Sequence, residues 1–456
     1  MNPVKVSSQI LFWICFVLGL ALRLYALGTK PFWFDESITY YFAHLPIKSL
    51  LEAVASDNNP PLYYLLIHFL QKLSASEYIL RLPSLLVGIV TIFASLKLAK
   101  ILKIKDHYFA ASLMSLSPLT IYLSWEARLH SLGTMLAVFL VISFFILQKN
   151  FSLKNFLIFL AVAAISFHTQ YYLLLLLVPL MLITTTTHKQ NFANWLKVVA
   201  TSLLLLVPWI MYSQNFTHNS CLCPNTLISL PATLTSPIVA GVGQITQRSF
   251  LNLPLSIMIL FVASTLIFFY YFLKGATKDL KATSLYFIPF MLVALPGLFW
   301  EVFSPKGFSI FVTFFFLILS QSNPKLKMKF LLLTLLATIS VIQLFHPFFK
   351  EDNLKNLSHE LSKYDLPIFH SSIITYYPME FYNPNQNFMF LENPLNEHTF
   401  ALIGGQPITN PQINKFLLVY SKIFTSHQTF LTLENNFSKT QILKNENFFV
   451  FEVTKK

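Results

Sequence analysis

The chain is 456 residues long, 55% hydrophobic and 11% charged. Soluble domains carry about 25% charged residues, so this sequence lacks the polar surface of a water-soluble protein. Its formal net charge of +13 does not mark a nucleic-acid binder, because the lysines lie in short clusters between apolar runs, as the positive-inside rule expects.

The first apolar run, Gln9 to Leu27, is long and has no small-residue cleavage site after it, so it reads as a span and not as a cleavable signal. Further runs begin near Arg81, Tyr108, Leu129, Asn155, Tyr171, Trp195, Leu253, Thr283, Lys306 and Lys329. A span needs about 20 residues, which predicts a polytopic α-helical membrane protein of about eleven spans. Alternate gaps collect lysines (Lys97 to Lys105, Lys149 and Lys154, Lys189 and Lys197, Lys274 to Lys281, Lys325 to Lys329), while the others collect Asp35, Glu36, Glu52, Asp57, Glu77, Glu126 and Glu301. This asymmetry predicts a cytoplasmic N-terminus and an external C-terminal region.

That orientation leaves Pro60 to Leu73 unable to cross, so it reads as an interfacial or re-entrant helix in a first external loop, 29–80. Ser37 to Ala55 is amphipathic and reads as a surface helix. A second long external loop, 213–252, is rich in Pro, Ser, Thr and Asn and suits a lid. Cys221 and Cys223 within it read as loop thiols, the alternative being a strained disulfide or a metal half-site with His218; Cys15 reads as a core residue. The membrane domain then occupies 1–349. From 350 to 456 the composition turns polar, with Asn-Pro turns between β-like runs (Pro367 to Tyr377, Lys415 to Tyr420, Phe448 to Val453), which predicts a small external α/β domain.

The chemistry gathers on the side predicted to be external. Asp35 and Glu36 follow Phe32, Trp33 and Phe34, which hold them at an aromatic belt. A solvated loop is the simpler account of such a pair, but a partly desolvated carboxylate beside cations is a candidate base. Arg81, Arg128 and Lys306 each sit at a span end. Each alone suits snorkelling to headgroups, whereas three on one face suit a phosphate, arginine supplying a fork and lysine a point charge. His168 opens a short turn, His168-Thr169-Gln170-Tyr171-Tyr172, as a polar turn residue or a substrate contact. No glycine-rich phosphate loop occurs and only 11 residues are Gly, so a soluble nucleotide donor is disfavoured and a lipid-phosphate donor is favoured.

The ordered series Phe32-Trp-Phe-Asp-Glu36, Asp57-Asn-Asn-Pro-Pro-Leu-Tyr-Tyr64, Arg81-Leu-Pro-Ser84 and Ser117-Pro-Leu-Thr-Ile-Tyr-Leu-Ser-Trp-Glu-Ala-Arg128 resembles the type C membrane glycosyltransferases related to protein O-mannosyltransferases and lipid A aminoarabinose transferases. The resemblance covers roughly the segment 10–175, and the later spans by architecture only. It implies transfer of a sugar from a polyprenyl-phosphate donor to a glycan, lipid or protein acceptor on the external face of the plasma membrane. Asp35 would be the general base, and Glu36 would support it or bind a divalent metal. Arg81, Arg128 and Lys306 would hold the donor phosphate. Asp57, Tyr63, Tyr64, Glu126 and His168 would bind substrate. Many relatives have His-Pro-Pro where this chain has Asn59-Pro60-Pro61, and often an arginine where Lys306 stands. The competing reading is a lipid or polysaccharide transporter of the envelope, which usually shows charges within spans and paired broken helices. A non-catalytic scaffold for envelope assembly is the third.

Overall fold

The structure is a computed structural model. It describes residues 3–57, 59–187, 192–216, 226–239, 253–300, 304–346, 353–384, 386–389, 414–421, 437–444 and 448–455. Cys221, Cys223, His218, Glu301 and the turns at Asn393 and Asn410 lie outside the described residues.

Helix α1 (Pro3–Thr29) is followed by three short helices, α2 (Phe34–His44), α3 (Ile47–Ala55) and α4 (Leu62–Leu70). The long α5 (Glu77–Ile101) leads to α6 (His107–Leu116) and α7 (Pro118–Ser124), then α8 (Leu129–Lys149) and α9 (Leu153–Phe167). A 3-10 turn (Tyr171–Leu176) precedes α10 (Leu177–Thr187), α11 (Phe192–Leu204), α12 (Val207–Ser213) and α13 (Thr226–Thr235). The helical part closes with α14 (Leu255–Ala276), α15 (Leu280–Gly297), α16 (Pro305–Phe308), α17 (Val312–Gln321) and α18 (Leu326–Phe345).

Seven helices among the described residues are long and apolar enough to cross a membrane. They lie at seven of the eleven apolar runs. The runs at Asn155, Tyr171 and Lys306 form shorter apolar helices, Leu153–Phe167, Tyr171–Thr186 and Pro305–Gln321. The run at Tyr108 is broken into α6 and α7. Helix α4, nine residues long, extends only about 14 Å at 1.5 Å per residue against a hydrocarbon core of about 30 Å. It therefore fits the reading of Pro60 to Leu73 as a segment that does not cross.

The break between α6 and α7 has a cause in sequence. Pro118 has no N–H, so the Met114 carbonyl loses its helical partner, and the bend strips Ser115 as well. Arg23 of α1 fills the gap: Nη1 donates to Ser115 O (2.7 Å) and Gly19 O (2.9 Å), Nη2 to Met114 O (3.3 Å) and Thr120 Oγ1 (3.0 Å), and Nε to Ser124 Oγ (3.1 Å). Arg23 is fully buried. In an apolar environment each freed carbonyl would otherwise be costly. Gly19 lets α1 approach, since a Cβ there would fall 2.1 Å from Ser115 O.

The C-terminal region contains α19 (Leu354–Leu361), β1 (Ile368–His370), α20 (Ile373–Tyr382), β2 (Asn387–Met389), β3 (Lys415–Ser421), β4 (Phe437–Lys444) and β5 (Phe448–Lys455). The sheet order is β2-β1-β3-β5-β4. Strand β1 runs parallel to β2 and β3, and β5 antiparallel to β3 and β4. Lys415 to Tyr420 and Phe448 to Val453 are strands as expected. Pro367 to Tyr377 is not one strand: only Ile368–His370 is extended, and a helix follows. The Ser372 hydroxyl caps that helix by accepting the Ile374 N–H, a signal masked by the β-branched residues after it. Strand β4 had no expectation attached.

Candidate active site

The site forms at the start of α2. Trp33 is the extended residue before it, and Asp35 and Glu36 fall in its first turn, where the helix dipole favours carboxylates. Adjacent positions on a helix point apart, so the two acids meet different partners.

Glu36 turns inward. Arg81 of α5 binds it bidentately, Nε to Oε1 at 2.7 Å and Nη2 to Oε2 at 2.6 Å, and the Ala127 N–H donates to Oε1 at 2.8 Å. Both side chains are buried. Burial pushes the Glu36 carboxyl up, with Arg81 and the Ala127 N–H opposing it. Arg81 also donates to the carbonyls of Leu27 (3.1 Å), Lys30 (2.7 Å) and Pro31 (3.0 Å). All five of its N–H groups are thereby engaged. In this geometry Arg81 ties Glu36 to the end of α1 and to the connection before α2.

Asp35 turns toward Lys306, which the Ser304-capped α16 presents. Lys306 Nζ lies 3.0 Å from Asp35 Oδ2, 3.1 Å from Glu126 Oε1 and 3.6 Å from the centre of the Trp33 ring. The Asp35 side chain keeps 26% of its exposure and that of Lys306 29%, whereas Glu126 keeps 4%. Burial alone would raise the Asp35 carboxyl, but Lys306 and Arg128 outweigh it and hold it at about 2. Tyr122 donates to the same Glu126 oxygen at 3.1 Å, and the other, Oε2, is buried without a partner among the described residues.

Arg128, immediately before α8, is the second cation. Its Nη1 reaches Thr39 Oγ1 (3.1 Å), Tyr64 Oη (3.4 Å) and Asp35 O (3.4 Å), and its Nε is buried without a partner among the described residues. Tyr64 donates to Asp57 Oδ2 (3.0 Å), which also receives the Asn59 amide (3.1 Å). Burial, then the Asp57 charge, raises the Tyr64 phenol. Tyr63 pairs with Ser84 Oγ at 3.1 Å inside the protein. The His168 ring bonds within its own helix turn, to Ala164 O, while its carbonyl accepts the Leu62 N–H at 2.9 Å. It thus anchors α4 through the backbone.

Asp35, Arg128, Lys306, Glu126, Tyr64 and Asp57 therefore form one linked network, while Glu36, Arg81 and Tyr63 stand behind it. A cleft beside the network is lined by Lys30, Trp33, Glu36, Arg81, Tyr122, Trp125 and Glu126. Lys30 Nζ lies 4.7 Å from the Trp125 ring centre, and the Trp33 and Trp125 indole N–H groups are buried without partners among the described residues. Sequence reasoning did not single out Lys30, Tyr122, Trp125 or Thr39; the last three fall inside or next to the quoted motifs. Among the described residues no group of three or more His, Cys, Asp or Glu is arranged to hold a metal.

Long apolar helices with an ion-linked polar cluster at helix ends define a multi-pass membrane protein. The family model for dolichyl-phosphate-mannose-protein mannosyltransferases matches residues 58–212. The backbone is similar to that of ArnT from Cupriavidus metallidurans bound to undecaprenyl phosphate, with TM-score 0.63 and 11% identity over 96% of this chain and 97% of that one. The apo state of the same protein gives 0.60 and 12% with the same coverage. No curated protein matches in sequence. The resemblance read from the motifs is borne out in fold and in part of the sequence: the backbone follows that of ArnT, and the mannosyltransferase family model matches the second to seventh apolar runs. Asp35 and Glu36 lie before the matched segment.

Proposed function

We propose that the protein is a membrane glycosyltransferase that moves a sugar from a polyprenyl-phosphate donor to a hydroxyl acceptor, with Asp35 as general base. The observation that carries this reading is the network Glu126–Lys306–Asp35 with Arg128 beside it. It joins a reachable carboxylate to two cations in a fold shared with a protein solved with undecaprenyl phosphate.

Lys306 and Arg128 attract the donor phosphate, in place of the Arg81 role expected from the motif. Once the phosphate draws Lys306, Asp35 loses its strongest opposing charge and becomes a stronger base. The acceptor oxygen then attacks the anomeric carbon while Asp35 takes its proton. The bond from that carbon to the phosphate oxygen breaks, and the charge developing on the leaving polyprenyl phosphate is met by the two cations. The products are the glycosylated acceptor and polyprenyl phosphate. Glu36 and Arg81 hold Asp35 in place. The lysine pattern between runs supports a plasma-membrane location with the site on the external face.

Binding of a short-chain polyprenyl phosphate to purified protein tests the phosphate part. Lys306→Met should weaken it at least tenfold, roughly the value of one charge-assisted contact, and Asp35→Asn should not weaken it. Equal affinity in wild type and Lys306→Met would remove Lys306 from the phosphate site.

A further inference from the structure

The C-terminal domain reaches the active centre through one helix. Phe381 of α20 stacks on Phe32 with ring centres 4.5 Å apart and planes 16° apart, and its edge meets Tyr40 at 4.9 Å. Tyr377 meets Tyr41 at 5.3 Å. Between these rings Tyr382 makes two polar contacts from one oxygen. Its hydroxyl accepts the N–H of Phe32 and donates to Glu77 Oε1. The second oxygen of Glu77 accepts Lys355 Nζ at 2.9 Å, and that ammonium lies 5.4 Å from the Tyr382 ring centre.

Phe32 lies one residue before Trp33, so its N–H precedes the helix. The same connection has its carbonyls at Leu27, Lys30 and Pro31 tied by Arg81. It is thus held from two sides, by Arg81 on the carbonyls and by Tyr382 on the Phe32 N–H, two residues before α2. Three residues further stands Asp35. Phenylalanine at 382 would keep the aromatic packing and lose both hydrogen bonds.

We propose that Tyr382 is a positioning residue, through which the C-terminal domain completes the active centre by fixing the Phe32 N–H and with it the start of the helix that carries Asp35. The effect on turnover rests on the proposed transferase reading; the effect on the Phe32 segment does not. Glu77 aims the Tyr382 hydroxyl so that its oxygen faces Phe32.

The test uses the full-length protein with Tyr382→Phe, Glu77→Gln and Glu77→Leu. Amide hydrogen exchange is followed on the peptide containing Phe32, and kcat and KM are measured for the donor. Tyr382→Phe should speed exchange at Phe32 and lower kcat about tenfold or more, because small misplacements of a reacting group are costly, with donor KM within about twofold. Glu77→Leu should reproduce both effects. Glu77→Gln, which still accepts from Tyr382, should retain most of the activity. Thermal unfolding should move by only a few degrees, roughly one lost contact in a chain of this size. Wild-type exchange in Tyr382→Phe overturns the proposal, as does a kcat loss matched by an equal loss of folded protein. If the wild type transfers no sugar, the transferase reading fails by itself and the Phe32 exchange rate still decides this one.

Discussion

Lys306 and Asp35 are 271 residues apart in sequence and 3.0 Å apart in space. Lys306 also holds Glu126 at 3.1 Å, so one ammonium serves two carboxylates. That pairing, with Arg128 nearby, holds the Asp35 carboxyl low in the resting site. Under the proposed function, a phosphate entering beside Lys306 and Arg128 would compete with Asp35 for those cations, which would tie activation of the base to arrival of the donor.

That competition gives a pH signature. In the free protein the Asp35 carboxyl lies near 2, below its ordinary value of 3.8. The ion pair therefore stabilises the fold at all pH values above about 4 and is lost as pH falls toward 2. With phosphate on Lys306 the carboxyl rises. Because kcat/KM reports the free enzyme and kcat the loaded one, the acid limb should lie about one unit or more higher in kcat than in kcat/KM. Coincident limbs would mean that the donor does not displace Lys306.

The Glu36–Arg81 pair predicts a stability effect and not an affinity effect. Removing one member leaves the other charge buried, at a cost of about 3–5 kcal/mol. Arg81→Ala should unfold at a much lower temperature, with its activity falling in step. Arg81→Lys should rescue little, because an ammonium cannot give Glu36 two parallel bonds. An Arg81→Ala protein of normal thermal stability with weakened polyprenyl phosphate binding would restore Arg81 to the phosphate site.

Arg23 makes a prediction far from the chemistry. Arg23→Met would fill the space but strand the Ser115 carbonyl, since Met114 O keeps the Thr120 hydroxyl at 2.7 Å, at roughly 1–3 kcal/mol for a buried unsatisfied group. Thermal unfolding in detergent should fall well below wild type, and Gly19→Ala, whose Cβ would press on Ser115 O, should lower it too. An unchanged midpoint in Arg23→Met would show that the bend does not depend on this side chain.

Part of this was legible because it is local. The apolar runs gave the helices, since length and hydropathy decide a span, and the aromatic residues before Asp35 and Glu36 marked that pair. The sign of each charge at a helix end was equally plain, but its partner was not. Arg81 and Arg128 look alike in sequence, and only packing turns one onto Glu36 and the other toward Thr39, Tyr64 and Asp35. The bend at Pro118 lay inside one apolar run, and its support comes from Arg23, 92 positions from Ser115. Tyr382 carried no signal, because its partner at Phe32 is 350 positions away.

The most direct measurement is sugar transfer from a panel of polyprenyl-phosphate sugars by wild type, Asp35→Asn and Lys306→Met, each shown to be folded. The account predicts that wild type turns over at least one donor. Asp35→Asn should bind that donor normally and lose turnover by at least about a hundredfold, the scale of a general base. Lys306→Met should lose both binding and turnover. Near-normal transfer by Asp35→Asn would contradict the central claim that this carboxylate is the base.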